Sequence, residues 1–173
     1  MTPAPTPAPT PAPTPAPAHT PAHTPTATPT PTRRPAAAPI LVGHDHFWFP
    51  ALGIADSVRP FDCAGPNVIS GGIWRYGCDG GRNIYLMSHA WSDFRGLRTA
   101  YHAGQLKAGM IAYYAGSDGH VQRYRVAWVR HVALSYFNAS YWLWALDDVD
   151  ALTLQTCDGA NSEYRLVVRL TRS

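Results

Sequence analysis

The feature that most constrains the fold is a strand-loop-strand pattern near the end of the chain. In residues 152–157 apolar side chains alternate with polar or small ones, and the same alternation returns in residues 164–170. The intervening Asp-Gly-Ala-Asn-Ser segment is rich in turn formers. Alternation with a period of two predicts two strands that each have one buried face, and a short loop predicts that they pair as a hairpin.

The register of this hairpin predicts which residue faces the one cysteine within it. If the hairpin is centred near Asn161, Cys157 faces Arg165, because both lie four residues from the centre. Arg169 shares that face but lies roughly 13 Å further along, at about 3.4 Å per residue, opposite Thr153. The sequence therefore predicts a thiol facing a permanent cation.

Composition divides the chain into a linker and one domain. Residues 1–39 contain 14 of the 17 prolines and consist mainly of Pro, Ala and Thr, with no large apolar residue after Met1. Such a segment cannot form a core, so residues 1–39 are predicted to be a disordered linker. As polyproline II it would reach on the order of 120 Å at about 3.1 Å per residue. Residues 40–173 are predicted to form a single domain.

Net charge argues against a nucleic-acid partner. The formal charge is +3, and Arg33 and Arg34 in the linker supply two of these charges. A nearly neutral domain lacks the basic surface that nucleic acids or acidic membranes require.

The distribution of strands and turns predicts a mainly β domain. Glycine and proline turns separate short apolar runs, and Phe94, Leu97 and Tyr101 follow at helical spacing. We predict a closed β-barrel of seven or eight strands with one or two short helices. Besides the hairpin, the predicted strands are residues 50–55, 57–61, 83–87, 110–115 and 121–129, and 140–146 is open between strand and buried loop.

The sequence gives conflicting indications of compartment. It shows no run of about 18 apolar residues and no signal peptide, which taken literally predicts a cytoplasmic protein. A Pro/Thr-rich segment, however, is typical of a spacer that holds a domain away from a surface. Cys63 and Cys78 are open between a disulfide, which would leave Cys157 as the free thiol, and two buried thiols.

The chemistry predicted for Cys157 is nucleophilic acyl transfer. A neighbouring cation stabilises a thiolate, and a donor such as Arg165 stabilises the oxyanion that forms on an attacked carbonyl. A histidine is also needed to protonate the leaving amine. Of the eight histidines, His89 is favoured, because it ends a buried strand and opens the loop before a helix.

These residues resemble those of the sortases, the cysteine transpeptidases of Gram-positive and related bacteria. Residues 153–157, Thr-Leu-Gln-Thr-Cys, match the family's Thr-Leu-x-Thr-Cys motif, and Arg165 followed by Leu-Val-Val-Arg resembles its catalytic arginine on the last strand. Ser88-His89 with Phe94 and Leu97 downstream is similar to the family's Gly-His segment, although serine stands where glycine is usual. Residues 50–54 resemble its first barrel strand. The resemblance covers about residues 47–172 without fixing a class, for which D, E and F stay open.

The resemblance implies a mechanism, partners and a location. Cys157 would attack the Thr-Gly bond of a Leu-Pro-x-Thr-Gly-like sorting signal and form a thioester, His89 would protonate the leaving amine, and Arg165 would stabilise the oxyanion and the bound peptide. Thr156 would help to position the substrate. An amine from a cell-wall precursor or another protein would resolve the thioester, so the partners would be surface proteins. No cofactor or metal is implied, and the location would be extracytoplasmic, at the cell surface.

Two other functions fit the same residues. An extracellular cysteine peptidase would use the same cysteine and histidine but release its product to water, although in such folds the cysteine usually begins a helix. A non-catalytic wall-binding β-domain would not need Cys157 at all. Arg169 is the alternative to Arg165 as the functional arginine.

Overall fold

A computed structural model describes residues 41–65, 69–78, 81–140 and 149–173 of the chain. The strands and helices in these ranges are as follows: β1 His46–Phe49, β2 Ile54–Pro60, β3 Ile73–Tyr76, β4 Ile84–Met87, α1 Arg95–His102, β5 Ile111–Ala115, β6 Val121–Ala133, α2 Leu134–Ala139, β7 Ala151–Asp158 and β8 Tyr164–Arg172. The predicted linker 1–39 and most of the segment 140–146 lie outside the described residues.

The eight strands form a closed barrel in the order β1-β2-β3-β4-β7-β8-β6-β5. Most neighbours are antiparallel, but β2 pairs with β3, and β4 with β7, in parallel. The predicted mainly β fold, a closed barrel with two short helices, is confirmed. Neither described helix is long and apolar enough to cross a lipid bilayer.

The first strand differs from the prediction. Residues 50–55 were expected to be a strand, but Pro50–Leu52 form a 3-10 turn that ends at Gly53, whose φ of 65° is left-handed. Proline suits the start of a helical turn, and glycine is the residue that tolerates a left-handed end. The barrel instead begins with His46–Phe49, which precede the predicted start.

The barrel interior is filled by the inward side chains of every strand. Leu152 and Leu154 of β7 and Leu166, Val168 and Leu170 of β8 are fully buried, as the alternation predicted. The prediction of only one buried face is wrong, because Thr153, Val167 and Arg169 on the opposite face are buried as well. Helix α1 closes one part of this core with Leu97 and Ala100. Burial of such side chains removes apolar surface from water and fixes the strand register, since a slip of one residue would expose every inward side chain.

A second apolar cluster lies outside the barrel. Phe137 of α2 packs with Tyr85 of β4 and Val167 of β8. These contacts hold α2 against the outer face of the strands that end near Cys157, where its residues also line a cavity.

A disulfide joins Cys63 and Cys78, which resolves the alternative left open by the sequence. The bond closes a loop with a sequence separation of 15 residues, which includes strand β3. Disulfides persist in oxidising compartments outside the cytoplasm.

The double variant Cys63→Ser/Cys78→Ser is expected to lose about 3 kcal/mol of unfolding free energy, because the cross-link restricts the unfolded chain. Urea denaturation measures this loss, and a reductant should destabilise the unaltered protein by the same amount while leaving the variant unaffected. An unaltered protein whose urea midpoint did not respond to reductant would contradict the expectation.

Candidate active site

Three adjacent strands bring the predicted histidine, cysteine and arginine to one edge of the barrel. In the antiparallel β7–β8 pair Cys157 lies opposite Arg165, which confirms the predicted register. In the parallel β4–β7 pair Met87 lies opposite Gln155. The N–H of Ser88 continues this ladder to Gln155, and two residues beyond the last pair are His89, just past the end of β4, and Cys157 in β7. The histidine therefore lies on one side of the cysteine and the arginine on the other.

Two contacts hold the imidazole of His89: a hydrogen bond to one ring nitrogen and an aromatic ring stacked on one face. Its Nε2–H donates to the carbonyl oxygen of Ile69, 2.5 Å away. Ile69 lies within the loop that the Cys63–Cys78 disulfide closes. The other contact is with Trp91, whose ring is stacked on the imidazole at 4.8 Å between centroids and 15° between planes. The disulfide loop and an aromatic side chain together limit how far His89 can rotate.

Thr156 connects the loop that carries His89 to strand β7, which carries Cys157. Its side chain is fully buried, and its hydroxyl donates to the carbonyl oxygen of Ser88 at 2.8 Å. The backbone N–H of Ser88 donates to the carbonyl of Gln155 at 3.3 Å, which extends the β4–β7 ladder. A buried hydroxyl held in this way is not available to a substrate in this conformation, so Thr156 acts on the geometry of its neighbours.

The loop that carries His89 is closed by Asp93. Ser88 and Ser92 both donate hydroxyl hydrogen bonds to Oδ2 of Asp93. Burial raises the pKa of the Asp93 carboxyl, but hydrogen bonds from Ser92 and Asp56 outweigh it and lower the pKa below the ordinary value. The side chain of Ser88 therefore anchors this loop, which a glycine at this position could not do.

Cys157 is half-buried and lines two cavities. The first, which we call the Trp91 cavity, has a volume of about 370 Å³ and is lined by His89, Trp91, Arg98, Cys157 and the β7–β8 loop. The second, the Arg165 cavity, has a volume of about 250 Å³ and shares His89 and Cys157 with the first. Its other walls are Ile69, Met87, Ser88, Phe137, Asn138, Gln155 and Arg165. A nucleophile placed here is reachable from two sides.

The geometry distinguishes Arg165 from the alternative Arg169. Nη1 of Arg165 donates to the carbonyl oxygens of Ser162 and Tyr164, at 2.8 and 3.0 Å, which holds the guanidinium beside Cys157. Arg169 is buried, lies opposite Thr153 and places its guanidinium 5.5 Å from the ring centroid of Trp128. Among the two, Arg165 is the one that lines a cavity together with the sulfur.

Directly after Cys157, Asp158 forms an ionic cluster that the sequence did not reveal. Its carboxylate is 2% exposed and accepts from Nε of Arg98 at 2.6 Å, Nε2 of His102 at 3.0 Å and Nε2 of His131 at 2.8 Å. His131 is also stacked against Tyr164, at 4.6 Å between centroids. The end of β7 is thereby joined to α1 and β6.

These contacts determine the charge of Asp158. Burial raises the pKa of its carboxyl, but hydrogen bonds from His102, Arg98 and the backbone N–H of Gly159 together hold that pKa well below its usual range. The carboxylate is therefore ionised at any physiological pH, and its negative charge is shared among several donors.

The variant Asp158→Asn is expected to lower the free energy of unfolding by about 2 kcal/mol at pH 7, because it removes charge-assisted hydrogen bonds to partly exposed partners. The folded pKa is below the ordinary carboxyl value of about 4, so the stabilisation is fully present above that value and is lost progressively as the pH falls from it through the lower folded pKa. Urea denaturation at pH 7 and pH 3 should show the difference from the unaltered protein shrinking in acid.

The matched control for this variant is Asp150→Asn. Asp150 pairs with Arg172 at 3.4 Å, and both side chains are about half exposed, so its loss should cost less than about 1 kcal/mol. An Asp158→Asn penalty that was no larger than that of Asp150→Asn, or that did not change with pH, would contradict a structural role for the cluster.

Of the other described histidines, His44 and His120 are exposed and His46 is half-buried. His46 begins β1 and lies against Trp48, and His120 directly precedes β6. The sequence has three aspartates close together at positions 147, 148 and 150, and of these the structure describes only Asp150. In the described ranges, no group of three or more His, Cys, Asp or Glu side chains is arranged to hold a metal ion.

Of the comparisons with known proteins, the comparison with solved structures finds matches, and the comparisons of sequence do not. No family model matches the sequence, and no curated protein matches it. Among solved structures, sortase A from Corynebacterium diphtheriae, a lid mutant, is 20% identical with a TM-score of 0.56, over 80% of this chain and 73% of that one.

Two sortases C give the same result. Sortase C-1 from Actinomyces oris is 19% identical with a TM-score of 0.56, over 74% of this chain and 70% of that one. Sortase C from Clostridium perfringens is 19% identical with a TM-score of 0.52, over 74% of this chain and 68% of that one. The resemblance first inferred from the cysteine motif is confirmed at the level of architecture: the chain has the sortase fold.

Proposed function

We propose that this protein is a cysteine transpeptidase that cleaves a Leu-Pro-x-Thr-Gly-like sorting signal between Thr and Gly. The observation that carries the proposal is the arrangement across β4, β7 and β8, in which His89 and Arg165 flank the half-buried thiol of Cys157. This combination of nucleophile, proton carrier and oxyanion donor is what acyl transfer requires.

In the first half-reaction, Sγ of Cys157 attacks the carbonyl carbon of threonine. The carbon–nitrogen bond to glycine then breaks, and the glycine nitrogen leaves with a proton supplied by the imidazolium of His89. Because Nε2–H of His89 is held by the carbonyl of Ile69, Nδ1 is the nitrogen that carries this proton. The guanidinium of Arg165 stabilises the negative charge that develops on the carbonyl oxygen.

The Arg165 cavity suits the acyl side of the signal. Ile69, Met87 and Phe137 provide apolar walls for the leucine and proline side chains, while Gln155 and Asn138 provide hydrogen-bonding groups for the peptide backbone. Thr156 contributes indirectly, since its bond to Ser88 keeps the histidine loop in register with Cys157.

In the second half-reaction an amine resolves the thioester, and the product is an amide between two proteins or between a protein and a cell-wall precursor. We propose a location outside the cytoplasm, at the cell surface, with sorting-signal proteins as partners. The Cys63–Cys78 disulfide supports this location, because such bonds persist in oxidising compartments.

The test of this function is the fate of a Leu-Pro-x-Thr-Gly peptide incubated with the protein and triglycine. A transpeptidase should divert the product from the free acid to the triglycine amide as triglycine increases, and mass spectrometry distinguishes the two products. Cleavage that gave only the free acid at all triglycine concentrations would favour the peptidase alternative. No cleavage of any peptide in a Leu-x-x-Thr-Gly library would contradict both enzymatic functions.

A further inference from the structure

One wall of the Trp91 cavity carries a positively charged side chain, that of Arg98, which has no role in the proposed reaction. Arg98, on α1, lines this cavity together with Cys157 and His89, and its side chain is 42% exposed. Arg165 faces the cavity on the other side of the sulfur. Two guanidinium groups therefore flank one thiol, and only one of them is needed for the oxyanion.

Asp158 engages only part of the Arg98 guanidinium. Among the described residues, the hydrogen bond of its guanidinium is the one from Nε to Oδ1 of Asp158, which uses one of five N–H donors. The same carboxylate also accepts from His102, His131 and the backbone of Gly159. Because the carboxylate shares its lone pairs among several donors and takes only the Nε–H of Arg98, the Nη groups of Arg98 are the donors that a second carboxylate in the cavity can meet.

We propose that the Trp91 cavity binds the amine acceptor and that Arg98 selects acceptors with a carboxylate close to the reacting amine. This inference rests on the proposed function and specifies its second substrate. A guanidinium pairs with a carboxylate through charge-assisted hydrogen bonds, and the ring of Trp91, which is 66% exposed, provides an apolar wall for the carbon atoms between the two groups.

The size of the cavity sets how far apart the carboxylate and the amine lie. A sphere with its volume of about 370 Å³ is roughly 9 Å across, and both Cys157 and Arg98 are on its walls. An amine that reaches the thioester while its carboxylate reaches Arg98 must therefore carry the two groups within roughly 9 Å of each other, a limit that an α-amino acid satisfies. A carboxylate at the far end of a long acceptor does not meet this requirement.

The transfer step balances without any further reactant. The neutral amine nitrogen forms a bond to the thioester carbonyl carbon, and the carbon–sulfur bond breaks with its electron pair going to Sγ of Cys157. The proton that the nitrogen loses goes to the imidazole of His89, which regains the form needed for the next cleavage.

The test compares glycine with glycinamide as acceptors, which differ in the carboxylate next to the same amine. A Leu-Pro-x-Thr-Gly peptide is cleaved in the presence of each, at equal concentrations of unprotonated amine, and mass spectrometry gives the ratio of transfer to hydrolysis. The unaltered protein should prefer glycine by about 10-fold, Arg98→Gln should lose the preference, and Arg98→Lys should keep part of it.

His102→Gln is the matched control, because it removes another partner of Asp158 that does not line the cavity. Its preference for glycine should remain. If Arg98→Gln does not fold, the preference of the unaltered protein must still fall with added salt, as a charge-based selection requires.

The outcomes separate this inference from the proposed function. Cleavage and transfer with equal use of glycine and glycinamide, or an unchanged preference in Arg98→Gln, would overturn the role of Arg98 while leaving the transpeptidase intact. Absence of any cleavage by the unaltered protein would overturn both.

Discussion

Cys157→Ala is expected to lower kcat/KM for cleavage of a Leu-Pro-x-Thr-Gly peptide by at least about 10⁴-fold, because the attacking atom is removed. Cys157→Ser should be nearly as inactive, since a hydroxyl in the same position is a far weaker nucleophile than a thiolate. Product formation measured by chromatography and mass spectrometry gives both values.

The control for the cysteine variants is their stability. Cys157 is half-buried and lies outside the main core cluster, so both variants should unfold within about 1 kcal/mol of the unaltered protein. Substantial residual cleavage by a folded Cys157→Ala protein would contradict the nucleophilic role of Cys157.

Arg165→Ala is expected to lower kcat by about 10²- to 10³-fold, the usual cost of removing one donor to a developing oxyanion. The guanidinium beside Cys157 is held by the carbonyls of Ser162 and Tyr164, so it is already positioned before substrate binds. Arg165→Lys should recover only part of this loss, because an ammonium lacks the planar fork of donors. Steady-state kinetics on the peptide substrate provide the measurement.

The control for Arg165 lies on the same strand. Arg172 is at the other end of β8 in an exposed pair with Asp150, so Arg172→Ala should leave kcat unchanged. An effect of Arg165→Ala that was confined to KM would contradict oxyanion stabilisation, because uniform substrate binding changes KM alone.

The C-terminal hairpin was predictable because its determinants are local. A period of two fixes which side chains point inward, and the short loop fixes the register, so the pairing of Cys157 with Arg165 followed from counting residues. The helix after His89 was predictable for the same reason, since Phe94 and Leu97 repeat at helical spacing and both are fully buried.

The first strand was not predictable from alternation. Phe47, Trp48 and Phe49 are three successive buried aromatic residues, so β1 lacks the change of polarity that marks a half-exposed strand. Residues 50–55 were mistaken for that strand because they are apolar, although Pro50 and Gly53 suit the turn that the structure contains.

The surroundings of the site depend on contacts between distant segments. The carbonyl of Ile69 reaches His89 across 20 residues, and Asp158 meets Arg98 across 60. No short-range pattern predicts such meetings, because they follow from the parallel β4–β7 pairing and from the packing of α1. The sequence feature that pointed to the ionic cluster was Asp158, directly after the motif cysteine. Its partners Arg98, His102 and His131 are apparent only in the folded structure.

The most direct test of the account is the mass of the protein during turnover of a Leu-Pro-x-Thr-Gly peptide. We predict an adduct equal to the acyl fragment ending in threonine, localised to Cys157 by peptide mapping, which disappears when triglycine is added. Peptide cleavage without such an adduct, or an adduct attached to another residue, would contradict a thioester mechanism at this site.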